Sequence, residues 1–255
     1  MTFRATFLLF WPLALALGGC RQSSSLSAPA RDHHPAPLTP ASEAGGVSGV
    51  ISFTGKAPPR IGLNVSADPG CYQANLPIYT EQVVVNHHRL ANVYVYVKSG
   101  VPNRVLSAGA PPVVLDQRGC SYIPHVVAVQ QGGSVEFVNS DATVHNITTV
   151  PTQAGNPSAN FSELANSAPR TETFKTPEVM IPVRCSYHPW MSAFINVAPN
   201  PWFDVTGSDG AFHITDLPEG RYTLAAVQEK LGEQDVQITV TRGAVSTANF
   251  NFSAR

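Results

Sequence analysis

Short segments of alternating apolar and polar residues run from Val47 to the end of the chain. VSGVISF, EQVVVN, NVYVYVK, PPVVLD, HVVAVQ, SVEFVN, AFINVA, AFHIT, YTLAAV, VQITVT and ANFNF are rich in Val, Ile, Phe and Tyr, and most repeat with period two. That period sends successive side chains to opposite faces of a strand. Gly, Pro, Asn and Asp interrupt the segments at short intervals. Strands and turns so spaced predict an all-β fold of sandwich type. No segment sustains a helical period. PSANFSELANSA, residues 157–168, reads as a helical turn or a long loop.

The amino end follows a different pattern. Arg4 precedes an apolar run from Phe7 to Leu17. The run is shorter than the ~20 apolar residues that span a bilayer, and it reads as the core of a secretory signal. It stops at LGGC, and Cys20 there resembles the lipidated cysteine of a bacterial lipobox. The resemblance implies a lipoprotein of the bacterial cell envelope, on the periplasmic side or outer membrane, held by a lipid anchor on Cys20. An ordinary signal peptide with a chance cysteine is the alternative. Residues 21–46 are rich in Ser, Ala and Pro and poor in large apolar side chains, so they read as a flexible linker, with His33 and His34 solvated in it.

Only 13% of the residues are charged and the formal net charge is −1. There is no basic stripe, which excludes nucleic acid as a partner class. Of the four cysteines, Cys20 is taken by the lipobox reading and Cys185 by the motif described next. That leaves Cys71 and Cys120, which in an oxidising compartment are expected to form a disulfide. The competing use, as a metal ligand, finds no second ligand at short spacing around either cysteine; His125 lies five residues after Cys120.

RCSYHPWM, residues 184–191, places Cys185, His188 and Met191 within seven positions. A structural zinc site takes four strong N or S ligands, often as two short pairs, and no second cysteine pair is present. A binuclear thiolate copper centre needs two cysteines in the loop. A thioether suits copper better than zinc, and one Cys, two His and a weak Met describe a blue-copper site. The second histidine is supplied by VEFVNSDATVHN, in which a strand ends before His145, forty residues ahead of Cys185.

VQQGGSVEFVNSDATVHN followed by VRCSYHPWMSAFINV resembles the cupredoxin family, over Tyr122 to Val197. The Cys-x-x-His-x-x-Met spacing, with a proline after the histidine, is most similar to that of amicyanin. The resemblance implies a cupredoxin-type β-sandwich holding one type 1 copper ion. His145, Cys185 and His188 would lie in the equatorial plane, with Met191 axial. Asn146 would tie the two ligand loops by hydrogen bonds and Pro189 would stiffen the second. Pro189 and Trp190 would rim an exposed edge of His188, the expected electron port; burial of Trp190 in the core is the equal alternative for that residue. His125 is expected to start a strand beside His145, in a structural role. His87 and His88 are expected in a hairpin turn, and His213 facing solvent.

From about residue 199 the turns become regular. FDVTGSDGAFHITDLPEGRYTLAAV resembles the carboxypeptidase regulatory-like module, a smaller transthyretin-like β-sandwich, through Asp209, Gly210, Phe212, Leu217, Pro218, Gly220, Tyr222 and Leu224. Gly207 and Ser208 depart from its pattern. GGVSGVISFTG can supply the module's first strand. The expected organisation is therefore a signal peptide at 1–20, a linker at 21–46, strands at 47–100 that pair with the C-terminal module at 199–255, and a copper domain at 101–198; otherwise 47–100 adds strands to the copper domain.

The function expected from these readings is one-electron transfer, without enzymatic activity. Partners would be redox proteins such as c-type cytochromes or periplasmic oxidoreductases. A multicopper oxidase or copper nitrite reductase would need further copper-binding histidines, often as His-x-His, and the sequence contains no His-x-His. A scaffold or adhesive lipoprotein, and a copper storage or delivery protein, are the competing classes.

Overall fold

The computed structural model describes residues 44–66, 68–71, 77–101 and 110–254. The signal, the lipobox Cys20 and nearly all of the linker lie outside the described residues. Thr39–Arg255 forms one unit, and the described part of it contains strands and turns but no α-helix.

In chain order the strands begin with β1 (Gly45–Thr54), β2 (Val85–Asn86), β3 (Arg89–Leu90) and β4 (Tyr94–Ser99). The middle of the chain supplies β5 (Val113–Gln117), β6 (Tyr122–Ile123), β7 (Val126–Gln130), β8 (Ser134–Asn139) and β9 (His145–Thr149). It continues with β10 (Asn160–Glu163), β11 (Arg170–Thr173), β12 (Glu178–Arg184) and β13 (Ser192–Ala198). The last strands are β14 (Phe203–Val205), β15 (Ala211–Leu217), β16 (Gly220–Gln228), β17 (Gly232–Val240), β18 (Val245–Thr247) and β19 (Phe250–Ser253).

Four sheets make two sandwiches. One pairs the order β15-β1-β3-β2, with β18 and β19 also on β1, against the order β14-β4-β16-β17. Strands from 45–99 and from 203–253 therefore alternate in it, around Ile51, Phe53, Val95, Phe212, Leu224 and Phe252. The other sandwich pairs β10-β9-β12-β13-β7 with β11-β8-β5-β6, around Leu115, Val127, Phe137, Ile147, Phe174 and Ile195.

Local chemistry explains the elements. SVEFVN alternates in burial along β8, as its period demands. His87 and His88, both at positive φ, form the two-residue turn between β2 and β3. Strand β4 is buried on both faces: Val95 and Val97 face the first core, while Tyr94 and Tyr96 meet Ala128 and Ala198 of the second sandwich. His213 is exposed on β15.

Two expectations are corrected. Residues 157–168 hold the strand β10, paired antiparallel to β9 with Glu163 opposite His145. Half of β10 is exposed and its one buried residue is Glu163, so pairing with a sheet edge defines it and hydrophobic periodicity does not. His125 is not beside His145 either. The strand that follows it, β7, runs parallel to β13, and β12 and β13 lie between it and β9.

Candidate metal centre

The site is built where β9 starts and where β12 hands over to β13. Antiparallel pairing of Val183 with Thr149 and Arg184 with Thr148 fixes β9 beside β12. Cys185 follows immediately, and the turn 185–191 closes through the Met191 N–H donating to the His188 carbonyl at 2.9 Å. Pro189 sits within this turn, with φ fixed and no N–H to satisfy. His145 is 0% exposed, Cys185 5%, His188 3% and Met191 1%.

Asn146 joins the two loops. Its Oδ1 accepts the Ser186 backbone N–H at 3.3 Å and the Ser186 hydroxyl at 3.0 Å. Its Nδ2 donates to Asn160 Oδ1 and the Phe161 carbonyl, both at 3.0 Å, so β10 is tied in as well. Behind the loops, Tyr122 is buried and its hydroxyl donates to the Asn146 carbonyl. Burial above all, then the neighbouring Cys185 sulfur, holds that phenol protonated well beyond the usual tyrosine range.

Three donor atoms converge. The Nδ1 atoms of His145 and His188 are 3.0 Å apart, and Cys185 Sγ lies 3.6 Å from His188 Nδ1. One donor atom from each of the three residues lies within 4.8 Å of the other two. The outer nitrogens are committed elsewhere: His145 Nε2 is 2.9 Å from Asp141 Oδ2, and His188 Nε2 is 2.8 Å from Asp68 Oδ2. An ionised carboxylate only accepts hydrogen bonds, so each Nε2 carries its ring's proton. Each Nδ1 is then a lone pair aimed at the other. With both rings neutral, two such lone pairs at 3.0 Å repel unless a proton or a metal ion lies between them, and with a sulfur alongside the set fits a thiophilic metal ion.

The titration behaviour agrees. Burial opposes ionisation of Cys185, but hydrogen bonding with His145 and the backbone N–H groups of His188, Tyr187 and Asn146 outweighs it and holds the thiol at about 6. Burial likewise opposes a charge on His145, yet the Asp141 carboxylate and the Cys185 sulfur raise it to about 9. In the metal-free chain the proton of this pair therefore lies on His145 and not on Cys185.

Both carboxylates are anchored. Asp141 accepts the N–H groups of Gly119 at 2.7 Å and Cys120 at 2.8 Å. Gly119 and Cys120 are both at positive φ, and this tight turn aims two successive N–H groups at one carboxylate. Asp68 accepts the Gly70 N–H at 2.7 Å and the Thr143 hydroxyl at 3.0 Å. Cys71 and Cys120 are disulfide-bonded, and Cys120 Sγ packs 4.0 Å from His145 Nε2.

The expected exposed edge of His188 does not exist. The segment carrying Asp68 and Cys71 crosses from the first sandwich and covers it. Trp190 is not a free rim: its indole donates to the Cys120 carbonyl at 3.2 Å, with its ring 5.1 Å from that of His188. His125 stays out of the cluster. It faces the Ser192 carbonyl at 3.0 Å and Glu229 at 2.8 Å, and so links β13 to the residue after β16. Asp68, Asp141 and Tyr122 are the site residues that sequence reasoning missed. The Asp-x-x-x-His spacing before His145 was a local signal for Asp141; no local signal existed for Asp68.

No protein-family model matches the chain, and no curated protein sequence matches it. Its structural neighbours are cupredoxins, at low TM-score and over part of the chain. A copper-containing nitrite reductase from Thermus scotoductus is 26% identical at TM-score 0.30, over 39% of this chain and 25% of its own. The reduced Cu(I) form of an amicyanin mutant is 19% identical at TM-score 0.30, over 40% of this chain and 97% of its own. A purple cupredoxin from Nitrosopumilus maritimus is 21% identical at TM-score 0.29, over 33% of this chain and 98% of its own. The chain thus spans a quarter of the reductase and nearly all of the two smaller proteins.

Proposed function

We propose that the chain is a mononuclear type 1 copper protein, a one-electron carrier or relay of the bacterial cell envelope. The observation that carries this reading is the convergence of two Nδ1 atoms, each on a ring whose Nε2 is bonded to a carboxylate, with one readily ionised thiol. His145, Cys185 and His188 hold the metal, and Met191 contributes a weak thioether from the same turn. Copper, when bound there, supplies a Cu(II)/Cu(I) couple coupled covalently to the thiolate. The protein keeps water away and limits rearrangement: the four residues are buried, Asn146 ties the loops and Pro189 stiffens one of them. Such burial favours a carrier over a copper storage or delivery protein, whose site would open to exchange.

Partners in this reading are c-type cytochromes or periplasmic oxidoreductases, met through small transient interfaces, with Cys20 lipid anchoring the chain to the membrane. The first sandwich is read as the carboxypeptidase regulatory-like module. Support comes from the Tyr222 hydroxyl donating to the Pro218 carbonyl at 2.8 Å, which joins two residues of its Leu-Pro-x-Gly-x-Tyr signature. A scaffold role for that sandwich alone would leave the donor cluster without a purpose.

Addition of Cu(II) to the purified chain is expected to give an intense visible thiolate-to-copper band and a narrow-hyperfine EPR signal, both lost in Cys185→Ser. A colourless protein with weak, Cys185-independent copper binding overturns the reading.

A further inference from the structure

The two candidate imidazoles are held from behind in the same manner by parts of the chain far apart in sequence. Asp141 lies four residues before His145, whereas Asp68 lies 120 residues before His188. Each carboxylate accepts the Nε2 proton of its ring, at 2.9 and 2.8 Å. Neither is free to swing away. Asp141 is gripped by two backbone N–H groups of the 118–121 turn, and Asp68 by one N–H and one hydroxyl. The two grips are also joined to each other. Cys120, which donates to Asp141, is bonded to Cys71, the neighbour of Gly70, which donates to Asp68. Gly70 in turn lies against Thr143, so closely that a Cβ there would come within 2.7 Å of the threonine Cβ.

A carboxylate on the far nitrogen of a ligating imidazole has two effects. It fixes which nitrogen carries the proton, and it raises the basicity of the nitrogen facing the metal. Inside a site shielded from water, its charge also favours the more positive oxidation state of the ion.

We infer that Asp68 and Asp141 are a matched pair of positioning residues that present both Nδ1 lone pairs to the metal and lower its reduction potential. This rests on the copper reading. The loop bearing Asp68, supplied by the other sandwich, is then a part of the metal centre and not a cover laid over it.

The test uses the full chain and the variants Asp68→Asn and Asp141→Asn, which keep side-chain shape and an acceptor oxygen but remove the charge. In the Cu(I)-loaded parent, proton NMR is expected to show both Nε2–H resonances downfield and slow to exchange with solvent. Asp68→Asn should move the His188 resonance alone, and Asp141→Asn the His145 resonance alone. Each variant should lose at least about tenfold in Cu(II) affinity relative to Cu(I). For a one-electron couple that is a rise of about 59 mV, read by voltammetry. Unchanged resonances and potential in variants that retain the visible band overturn the inference while leaving the copper reading intact. Fast-exchanging Nε2–H protons in the parent overturn it without any variant. A parent that forms no visible band removes the copper reading, and this inference falls with it.

Discussion

His145 and His188 face each other through their Nδ1 atoms at 3.0 Å, each with its Nε2 proton held by a different aspartate. A cluster so arranged is more stable with a cation inside it. Copper at one hundred times its dissociation constant is expected to stabilise the fold by about 2.7 kcal/mol through mass action. Denaturant melts with and without the ion measure this. Cys185→Ser should lose most of the gain, and a melt that copper does not shift in the parent contradicts the site.

The Cys71–Cys120 bond joins residues 49 apart in sequence and ties the connection between β1 and β2 to the second sandwich, in whose core both cysteines lie. In the chain-entropy account its removal costs about 4 kcal/mol. The double variant Cys71→Ala/Cys120→Ala should show that loss as a lower urea midpoint with little change in the metal-free secondary structure. An unfolding free energy within about 1 kcal/mol of the parent would mean that the unfolded chain is already constrained there.

Glu178 organises the turn that follows β9. It accepts the Thr152 N–H and hydroxyl, the Gln153 N–H and the Asn156 amide. Burial raises its pKa, but these bonds more than offset that, and the carboxyl sits below its usual 4.5. A depressed folded pKa means that the contribution is complete above the unfolded value and is lost as pH falls through the folded one. Stability should therefore decline below about pH 4.5 more steeply in the parent than in Glu178→Gln. At neutral pH that variant should be less stable by about 1–2 kcal/mol. Parallel acid titrations of the two proteins check the sign.

Asn146 is buried and makes hydrogen bonds to Ser186, Thr148, Asn160 and Phe161. Asn146→Ala leaves the Ser186 groups and the Phe161 carbonyl without their partner. A cost of about 2–3 kcal/mol is expected. Hydrogen exchange at the Ser186 amide should accelerate first, because that bond joins the two ligand loops. Unchanged protection there would remove the tie from the description.

What could be read in advance divides by range along the chain. SVEFVN and NVYVYVK announce strands because their alternation is a local property. Cys185, His188 and Met191 could be grouped because one turn carries them all. Strand β10 was hidden because NFSE has a single large apolar residue and is held by its partner β9. The place of β7 was hidden because strand order within a sheet leaves no trace in periodicity. Asp68 was hidden for the strongest reason: its partner is 120 residues away, and only the crossing of the segment between β1 and β2 to the second sandwich brings them together.

That crossing makes the boundary between the sandwiches a poor place to divide the molecule. A fragment limited to residues 101–198 would carry all four candidate ligands, yet it would present His188 with its Nε2 to water and Cys120 as an orphan thiol. The donor cluster is the joint property of both halves of the chain, and neither half inherits it alone.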